Sequence, residues 1–590
     1  MKKKLLSLLM AALMVFSVAP LAACGSSVDD IATDPKTINV KIYKAGYGTK
    51  YIEELAKQFE ITFKDQGYKV KIAAHDPFLM GPAVYRSIYS NSGIDVYFTS
   101  STSSEAGVVG EYGQVLLDLT DNVFDKPAIR FDGTEEAKTI KEKMLSTGWE
   151  YEGSSWEGKY YGLPYVYSTN GLVINQKQFK AILGADAEYP RTSNEMFEMV
   201  DEIQATYDTH FRAPFTFSLS GNNYLTGAAV PWMIQLMGRE TFLNYMAMTD
   251  AEGNWLRPER DASGKLIGGA YEVFDHPALA DVATNIFRIL DWNTHTKNAA
   301  GQGFEAAQAQ IMRGEAVFYF CGDWMYNEEY GRFGQYTGDI DFAKTPVIST
   351  LGVNLFGAGT SYNLSEEKAD EVLSTLIKYV DQNLSVEEIE QKAEQDLSID
   401  LATADVEAVC TARGVIRAGG GAMAHIANNI PADKKEVAEA FLRFCASEEA
   451  GALFAESAYT TSPWNTAALK DSDIKYIASV ANVLSNRYNV ETSYSNKGYK
   501  VALGLGAGIF PGLGEVWSTN FYEWAGAGSP RGDGVKDGET GVSKYDEDGN
   551  LIPEGNAIYR RAGEAMAKFL YDNAYNQVDK KGWRAPGDID

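Results

Sequence analysis

The sequence predicts an α/β fold, and three observations in its first part favour that class. Ile38, Val40 and Ile42 alternate as on a half-buried strand, and residues 52–59 place apolar side chains at helical spacing. Residues 70–74 alternate again as a second strand. A strand, helix, strand unit of this length indicates a parallel strand pair with its connecting helix packed on the sheet.

Length and composition describe a large, acidic, core-forming protein. Because single cores stop growing near about 250–300 residues, a chain of 590 residues is expected to form about two to four structural units. Hydrophobic residues make up 45% of it, and 53 basic residues against 80 acidic ones give a net charge of −27. Since nucleic-acid binding begins with cations placed against phosphates, this charge argues against a nucleic-acid partner.

The N-terminus has the pattern of a secretory signal. Three lysines precede an apolar run over residues 5–16, which is shorter than the about 20 residues that a membrane span needs. Leu-Ala-Ala then leads into Cys24, and this resembles a bacterial lipobox. The resemblance implies cleavage before Cys24 and lipidation of its thiol and new amino group; the alternative is an ordinary signal with an incidental cysteine. We therefore expect a signal peptide over residues 1–23 and a tether over residues 24–37.

The remaining cysteines and the turn-rich segments do not predict a metal site. Cys321, Cys410 and Cys445 are odd in number and widely spaced, which favours buried thiols over a disulfide framework, although a single bridge stays open. No Cys/His spacing of a structural metal is present. Residues 249–269 and 546–550 predict hairpins, because neither segment has the acidic alternation and terminal glutamate of a calcium loop. We expect neither a metal nor a cofactor.

Several segments, taken in order, are similar to the extracellular solute-binding proteins (family 1) of carbohydrate ABC importers, the family that includes maltose-binding protein. The segments that carry the resemblance are the strand at Ile38 with the loop Gly46-Tyr47-Gly48, the Asp-led strand at Asp95 with LLDLT at 116–120, GKYYGLP at 158–164, LVIN at 172–175, FEAAQAQIMRGEAVFYFCGDW at 304–324, GGGAMAHIANNIPADKKEVAEAFLRF at 419–444 and SPWN at 462–465.

The resemblance covers about residues 38–350 and 415–470, and it implies a two-lobe periplasmic-binding-protein-like fold of class II type. Crossings between the lobes are expected near 161–167 and 345–350. The expected parts are a first lobe at 38–163, a second lobe at 164–346, a return to the first lobe at 347–470 with a helical insertion at 351–414, and a mostly helical C-terminal region at 471–590.

Local signals support helices where the chain departs from the family. In the insertion, Val372, Leu373, Leu376, Ile377 and Val380 share one helix face. Ser385 with Glu388 forms the capping box that opens another helix. In the C-terminal region, helical patterning recurs near 474–485 and 557–576.

The usual signatures of an enzyme are missing from the sequence. None of the five histidines belongs to an HExxH motif, and no GxSxG elbow is present. The run GLGAGIFPGLG at 504–514 lacks the GxGxxG spacing, so we interpret it as a close-packed loop. A carboxylate pair for glycoside hydrolysis cannot be recognised among 80 acidic residues. Binding without catalysis is therefore the prediction.

A carbohydrate cleft needs aromatic faces for the apolar patches of a sugar ring and polar groups for its hydroxyls. The resemblance places ligand contacts on the loops at strand ends and beside the crossing. The alternative for each residue is loop solvation or core packing, and helix packing is favoured for Trp232. The expected ligand-binding residues are Tyr47, Thr99, Ser100, Ser101, Tyr165, Tyr167, Tyr224, Trp232, Asp323, Trp324, Trp464 and Asn465.

The function that the resemblance implies is capture of an extracellular oligosaccharide between the lobes and its delivery to the permease subunits of an ABC importer. The protein is expected to be a monomer on the outer face of the cell membrane, held there by the lipid on Cys24 alone. A non-sugar solute such as a peptide or a polyol is the alternative ligand. From another class of protein, a surface enzyme that acts on polysaccharide is the alternative function.

Overall fold

The computed structural model describes residues 31–581 apart from 45, 77–78, 80, 101–114, 147–153, 157, 219–223, 255, 292–293, 300, 419–421, 465–466 and 492–556. Several features of the sequence prediction lie outside the described residues: the signal peptide at 1–23, the lipidation residue Cys24, the site residues Ser101 and Asn465, the run at 504–514 and the turn at 546–550.

The described strands form two mixed sheets and three small hairpins. The strands are β1 Thr37–Tyr43, β2 Lys69–Asp76, β3 Val96–Phe98, β4 Pro127–Ile129, β5 Glu135–Thr139, β6 Ser155–Trp156, β7 Lys159–Tyr160, β8 Leu163–Pro164, β9 Thr169–Asn175, β10 Ala213–Phe215, β11 Glu259–Arg260, β12 Leu266–Gly268, β13 Ala316–Gly322, β14 Ile340–Ala343, β15 Val415–Ala418, β16 Met423–Ile426 and β17 Val490–Glu491.

The described helices cover both sheets. They are α1 Lys50–Thr62, α2 Gly81–Tyr89, α3 Ile140–Ser146, α4 Gln176–Leu183, α5 Ser193–Ala205, α6 Tyr207–His210, α7 Thr226–Met237, α8 Arg239–Ala247, α9 Ala278–Ile289, α10 Phe304–Met312, α11 Met325–Phe333, α12 Thr350–Phe356, α13 Glu366–Asp381, α14 Val386–Leu397, α15 Thr403–Gly414, α16 Ala432–Cys445, α17 Glu448–Ala458, α18 Lys475–Leu484 and α19 Ala557–Lys581.

The first sheet has the strand order β2-β1-β3-β16-β8. Strand β1 pairs in parallel with β2 and β3, and β16 joins them antiparallel. Helix α1 connects β1 to β2 and buries Ile52, Leu55 and Phe59 against this sheet. The predicted strand, helix, strand unit with its parallel pair is confirmed.

The second sheet has the strand order β10-β13-β9-β15-β17, and β14 also pairs with β9. Its two long central strands, β9 and β13, run antiparallel and are buried along their whole length. In their register Gly322 lies opposite Asn170. The carboxyl end of β13 and the amino end of β9 therefore meet at the same edge of the sheet.

The chain crosses between the sheets at least three times, the last time between α17, which packs on α1, and α18, which packs on β14. It leaves β8 of the first sheet and enters β9 of the second through residues 165–168, near the predicted crossing at 161–167. It returns between β15 and β16. The crossing that we expected near 345–350 is not where the chain returns: Val347 forms a bridge with Thr192 in the second core. Apolar side chains there, Ile348 among them, find their burial within the second lobe.

The segment 351–414 packs as a helical layer on the second lobe. Its predicted apolar face is confirmed, since Val372, Leu376 and Val380 are all buried in the core of the second sheet. The predicted capping box is confirmed as well. Ser385 N donates to Glu388 Oε2 at 2.7 Å, and Glu388 N donates to Ser385 Oγ at 3.3 Å.

The C-terminal region contributes two helices that pack on the second lobe, at the places where its patterning predicted helices. Helix α18 packs on β14, and its Tyr476 stacks on Tyr326 of α11 at 4.5 Å between ring centroids. Helix α19 packs along α9 and buries Met566 in the second core. The hairpin predicted within 249–269 is present as the pair β11 and β12.

Cys321, Cys410 and Cys445 are buried free thiols in the structure. Within the ranges described above, no group of three or more acidic, histidine or cysteine side chains is arranged to hold a metal ion. No helix there is both long enough and apolar enough to span a bilayer.

A buried ion pair fixes the amino-terminal edge of the first sheet. Lys434 Nζ lies 3.0 Å from Asp95 Oδ2, with both side chains almost fully buried. The same oxygen accepts a hydrogen bond from Asn39 N at 2.8 Å. The pair therefore joins helix α16 to strand β1 and to the start of the strand that follows Asp95.

We predict that Lys434→Met destabilises the protein by about 3–5 kcal/mol, because it leaves the Asp95 carboxylate buried without its cation. The neighbouring Lys435→Met is the matched control. It removes only the partly exposed contact with Glu439 at 3.6 Å and should cost at most about 1 kcal/mol. Urea unfolding of both variants measures the difference, and equal losses would contradict the prediction.

Candidate functional site

Loops from both sheets meet at one seam. Gly46 and Tyr47 follow β1, Thr99 follows β3, and Asp323 and Trp324 follow β13. Each loop leaves the carboxyl end of its strand, where open α/β sheets bind their ligands. Asn327 Nδ2 donates to Gly46 O at 2.6 Å, so a residue of helix α11 in the second lobe contacts the β1 loop of the first.

Trp324 lies between the lobes on a glycine platform. Its six-membered ring covers Gly322 so closely that a Cβ there would lie 2.1 Å from Cζ3. Its pyrrole side faces Gly46, where a Cβ would lie 3.9 Å from Cγ. The Tyr224 ring meets it edge-on at 5.9 Å between centroids. The structure thus brings three predicted site loops to one indole that stays partly exposed.

Asp323 fastens the end of β13 from inside the protein. Its carboxylate accepts a hydrogen bond from the Thr460 hydroxyl, its N donates to Thr169 O at 3.1 Å, and its O accepts from the Tyr476 hydroxyl at 3.0 Å. Oδ1 has no partner in the part of the chain that the structure describes. Burial raises the pKa of this carboxyl to about 7. Asp323 therefore acts as a support for Trp324 in this conformation.

The predicted tyrosines and Thr99 lie in the joint between the lobes. The Tyr47 and Ser168 hydroxyls share a hydrogen bond of 2.8 Å, and the Tyr165 hydroxyl donates to Thr99 O at 2.9 Å. Tyr167 N donates to the Thr461 carbonyl at 2.9 Å. Burial raises the pKa of Tyr47 and that of Tyr165 well above the ordinary value of a tyrosine. In this conformation these side chains join the lobes.

Two predicted tryptophans lie apart from the Trp324 loop. Trp232 is entirely buried in α7, and its indole N–H donates to the Pro346 carbonyl at 2.9 Å. Trp464 is also buried, with Lys143 Nζ 5.5 Å from its ring centroid. Their described ring and cation contacts do not include Trp324. A ligand role for either residue stays a prediction.

Four residues of the seam were not predicted from the sequence: Tyr43, Gln308, Tyr319 and Glu328. Glu328 lies in the first turn of α11 and accepts a hydrogen bond from Gln308 Nε2 at 2.6 Å. Burial, and next the neighbouring acids Glu329 and Glu305, raise its pKa to about 7. The pKa of Tyr43 is raised mainly by burial, and its hydroxyl bonds to Ser100 while Glu328 acts on it across the seam.

Two buried polar atoms lie near the Glu328 carboxyl. The Tyr319 hydroxyl and Gln308 Oε1 are fully buried; neither has a well-aligned hydrogen bond within the described ranges, and the buried Cys321 thiol lies beside both side chains. Leaving a buried polar group unpaired costs about 1–3 kcal/mol, so such groups cluster where function requires them. Of the four residues that were not predicted, only Tyr43 has a signal in the sequence, namely its place at the end of a strand.

We predict that the stability of the protein falls as pH rises from about 4 to about 7, in part because of Asp323. The folded state keeps the proton of this carboxyl up to a pKa of about 7, whereas the unfolded chain releases it near 3.8. Asp323→Asn keeps the acceptor for Thr460 and should flatten the decline. Urea unfolding of both proteins across this range checks it, and parallel curves would contradict the assignment.

No protein-family model and no curated protein matches the sequence, whereas solved structures match the fold. A probable secreted solute-binding lipoprotein from Streptomyces coelicolor has a TM-score of 0.50 at 14% identity, over 91% of this chain and 99% of that chain. The GacH receptor of Streptomyces glaucescens, solved without ligand and with acarbose, has a TM-score of 0.48 at 12% identity, over 93% and 99%. Maltose-bound MalE3 of T. maritima has a TM-score of 0.48 at 12% identity, over 90% and 98%.

Sequence identities this low support a similarity of fold only. Two sheets joined by short crossings agree with the match to the Streptomyces coelicolor structure over nearly the whole of both chains. The predicted α/β, periplasmic-binding-protein-like fold is thereby confirmed, and this chain has the fold of solute-binding proteins.

Proposed function

We propose that this protein captures an extracellular oligosaccharide between its two lobes and delivers it to the permease subunits of an ABC importer. One observation carries the proposal: the Trp324 indole lies partly exposed on Gly322, between Gly46 of the first lobe and Tyr224 of the second. An indole held in this way offers a flat apolar surface for the C–H face of a sugar ring. Glu328 and Ser100, close by, offer polar partners for hydroxyl groups.

The proposed mechanism is binding with closure of the lobes, without bond breaking. Residues 165–168 form one of the short crossings between the lobes, and rotation of the lobes would change the backbone angles of these residues. The hydrogen bond from Asn327 to Gly46, which joins the two lobes, would form or break with that rotation. A ligand that contacts both loops would therefore favour the closed state through its differential affinity.

We further propose that the protein is a monomeric lipoprotein, anchored on the outer face of the membrane through Cys24. The end of the tether is fixed to the first lobe: Ala32 N donates to Asn39 Oδ1 at 2.9 Å, and Ala32 O accepts from Lys434 Nζ at 2.9 Å. This attachment lies at the amino-terminal end of β1, whereas the Gly46 loop lies at its other end. The seam would thus be turned away from the attachment point.

Replacing Cys24 by Ala should release the protein from the membrane fraction or stop its maturation. The change should leave the fold intact, because Cys24 precedes both β1 and the Ala32 attachment. Fractionation of cells that express each form, followed by a melting curve of the purified protein, measures both effects. Equal retention of mutant and wild type in the membrane would count against lipidation.

The binding proposal is tested by calorimetric titration with a panel of oligosaccharides, and at least one should bind and be recovered unchanged. Trp324→Ala should weaken that binding by about 30-fold, the equivalent of about 2 kcal/mol for a central aromatic anchor. Gly322→Ala should weaken it too, because the new methyl group overlaps the indole. The exposed Tyr89, changed to Ala, serves as the control.

Three results would contradict the proposal. The first is a panel in which no sugar binds. The second is unchanged affinity in a well-folded Trp324→Ala variant. Conversion of the sugar at a rate proportional to the protein would instead favour the enzyme alternative.

A further inference from the structure

Glu328 is a partly buried carboxyl at the seam, and no described cation pairs with it. It lies on α11, where α10 supplies Gln308 and β13 supplies Tyr319. Its charged neighbours are Glu305 and Glu329, both acids. Arg332 is committed to those two acids, at 3.9 Å from Glu305 and 3.3 Å from Glu329. Within the described ranges, Glu328 forms no salt bridge.

Beside Glu328, the side-chain oxygens of Gln308 and Tyr319 can each accept a further hydrogen bond. Gln308 turns its amide N–H toward the carboxylate, which leaves its own Oε1 buried and, within the part of the chain that the structure describes, without a well-aligned hydrogen bond. The Tyr319 hydroxyl, also buried and beside the Cys321 thiol, is a further oxygen without a well-aligned hydrogen bond in the described ranges. A neutral sugar hydroxyl brings a single donor to such a site, whereas an ammonium group brings three N–H donors and a positive charge.

Aromatic rings complete the surroundings. Tyr224 lies edge-on to Trp324 at 5.9 Å, to Tyr319 at 6.4 Å and to Phe304 at 6.4 Å, measured between ring centroids. Ring faces attract cations, and the attraction grows where water is excluded. The net charge of −27 also favours the approach of a cationic ligand over an anionic one.

We propose that the seam recognises an oligosaccharide that carries a free, positively charged amino group, and that Glu328 receives this group together with Gln308 and Tyr319. The inference rests on the proposed function and names the chemical class of its ligand. Glu305, Glu328 and Glu329 repel one another, and a bound cation would relieve that repulsion. Burial, together with Glu329 and Glu305, raises the pKa of Glu328 to about 7, so a bound ammonium would also favour its ionised form.

The experiment compares matched ligands on the wild-type protein. Free-amine oligosaccharides and their N-acetylated counterparts, of the same length and linkage, are titrated at pH 7 and low salt alongside the neutral panel. The amine form should bind at least about tenfold more tightly, because a charged hydrogen bond is stronger than a neutral one by about that factor. Raising the ionic strength should narrow the difference only slightly, since the site is buried.

Two variants then assign the effect. Glu328→Gln keeps the shape of the side chain and the contact with Gln308, and it should abolish the preference for the amine, so that the amine and acetylated forms bind about equally. Glu240→Gln removes the same charge from an exposed position in the same lobe and should keep the preference. A melting curve of each variant establishes that it is folded, and the wild-type comparison stands independently of both.

The possible failures are distinguishable. Equal or tighter binding of the acetylated form overturns the amine inference and leaves oligosaccharide capture standing. An amine preference that survives in Glu328→Gln overturns the role of this carboxylate. Absence of binding by every sugar, charged or neutral, overturns the proposed function and the inference together.

Discussion

The contact of the Trp324 indole with the backbone at Gly322 is the constraint on which the rest of the seam depends. Because Gly322 has no Cβ, the Trp324 indole can fold back over the backbone of Gly322 at the end of β13. That turn sends Asp323 inward to Thr460 and Tyr476, and it directs α11 toward the first lobe. Gly322 therefore sets the positions of the Trp324 indole, of Asp323 and of helix α11.

This arrangement holds acidic groups in places that destabilise the fold. Asp323 is fully buried and Glu328 is partly buried, and burial raises the pKa of each to about 7. The Tyr319 hydroxyl adds a buried polar atom without a well-aligned hydrogen bond among the described residues. At the edge of the first sheet, by contrast, the buried charge of Lys434 is paired with Asp95. Unpaired polar groups gathered at one seam are what a site awaiting its ligand would show, because proteins tolerate such costs mainly where they serve function.

Local features of the fold could be predicted from sequence, and long-range ones could not. The parallel unit around β1, the Ser385 capping box and the helix α19 each follow from periodicity or spacing within a short stretch. The return crossing was misplaced because Val347 and Ile348 are buried by residues far away in sequence, Thr192 among them. Local pattern cannot reveal which distant surface will cover an apolar segment.

The same distinction applies to the candidate site. Trp324, Tyr47 and Tyr224 were placed by family resemblance, and the structure brings the loops that carry them to one seam. Glu328 was missed because no spacing in the chain connects it to Gln308, Tyr319 or Tyr43, which meet only through the packing of three elements. Family resemblance also nominated Trp232, whose position in α7 is that of a core residue in this conformation.

The most direct test of this account is a crystal structure of the protein grown with an oligosaccharide that binds it in solution. The account predicts sugar density at the carboxyl ends of β1 and β13, with one ring against the Trp324 indole and the Gly46 loop closed over it. Sugar bound elsewhere on the surface, with the Trp324 indole still covered by protein, would contradict the central claim.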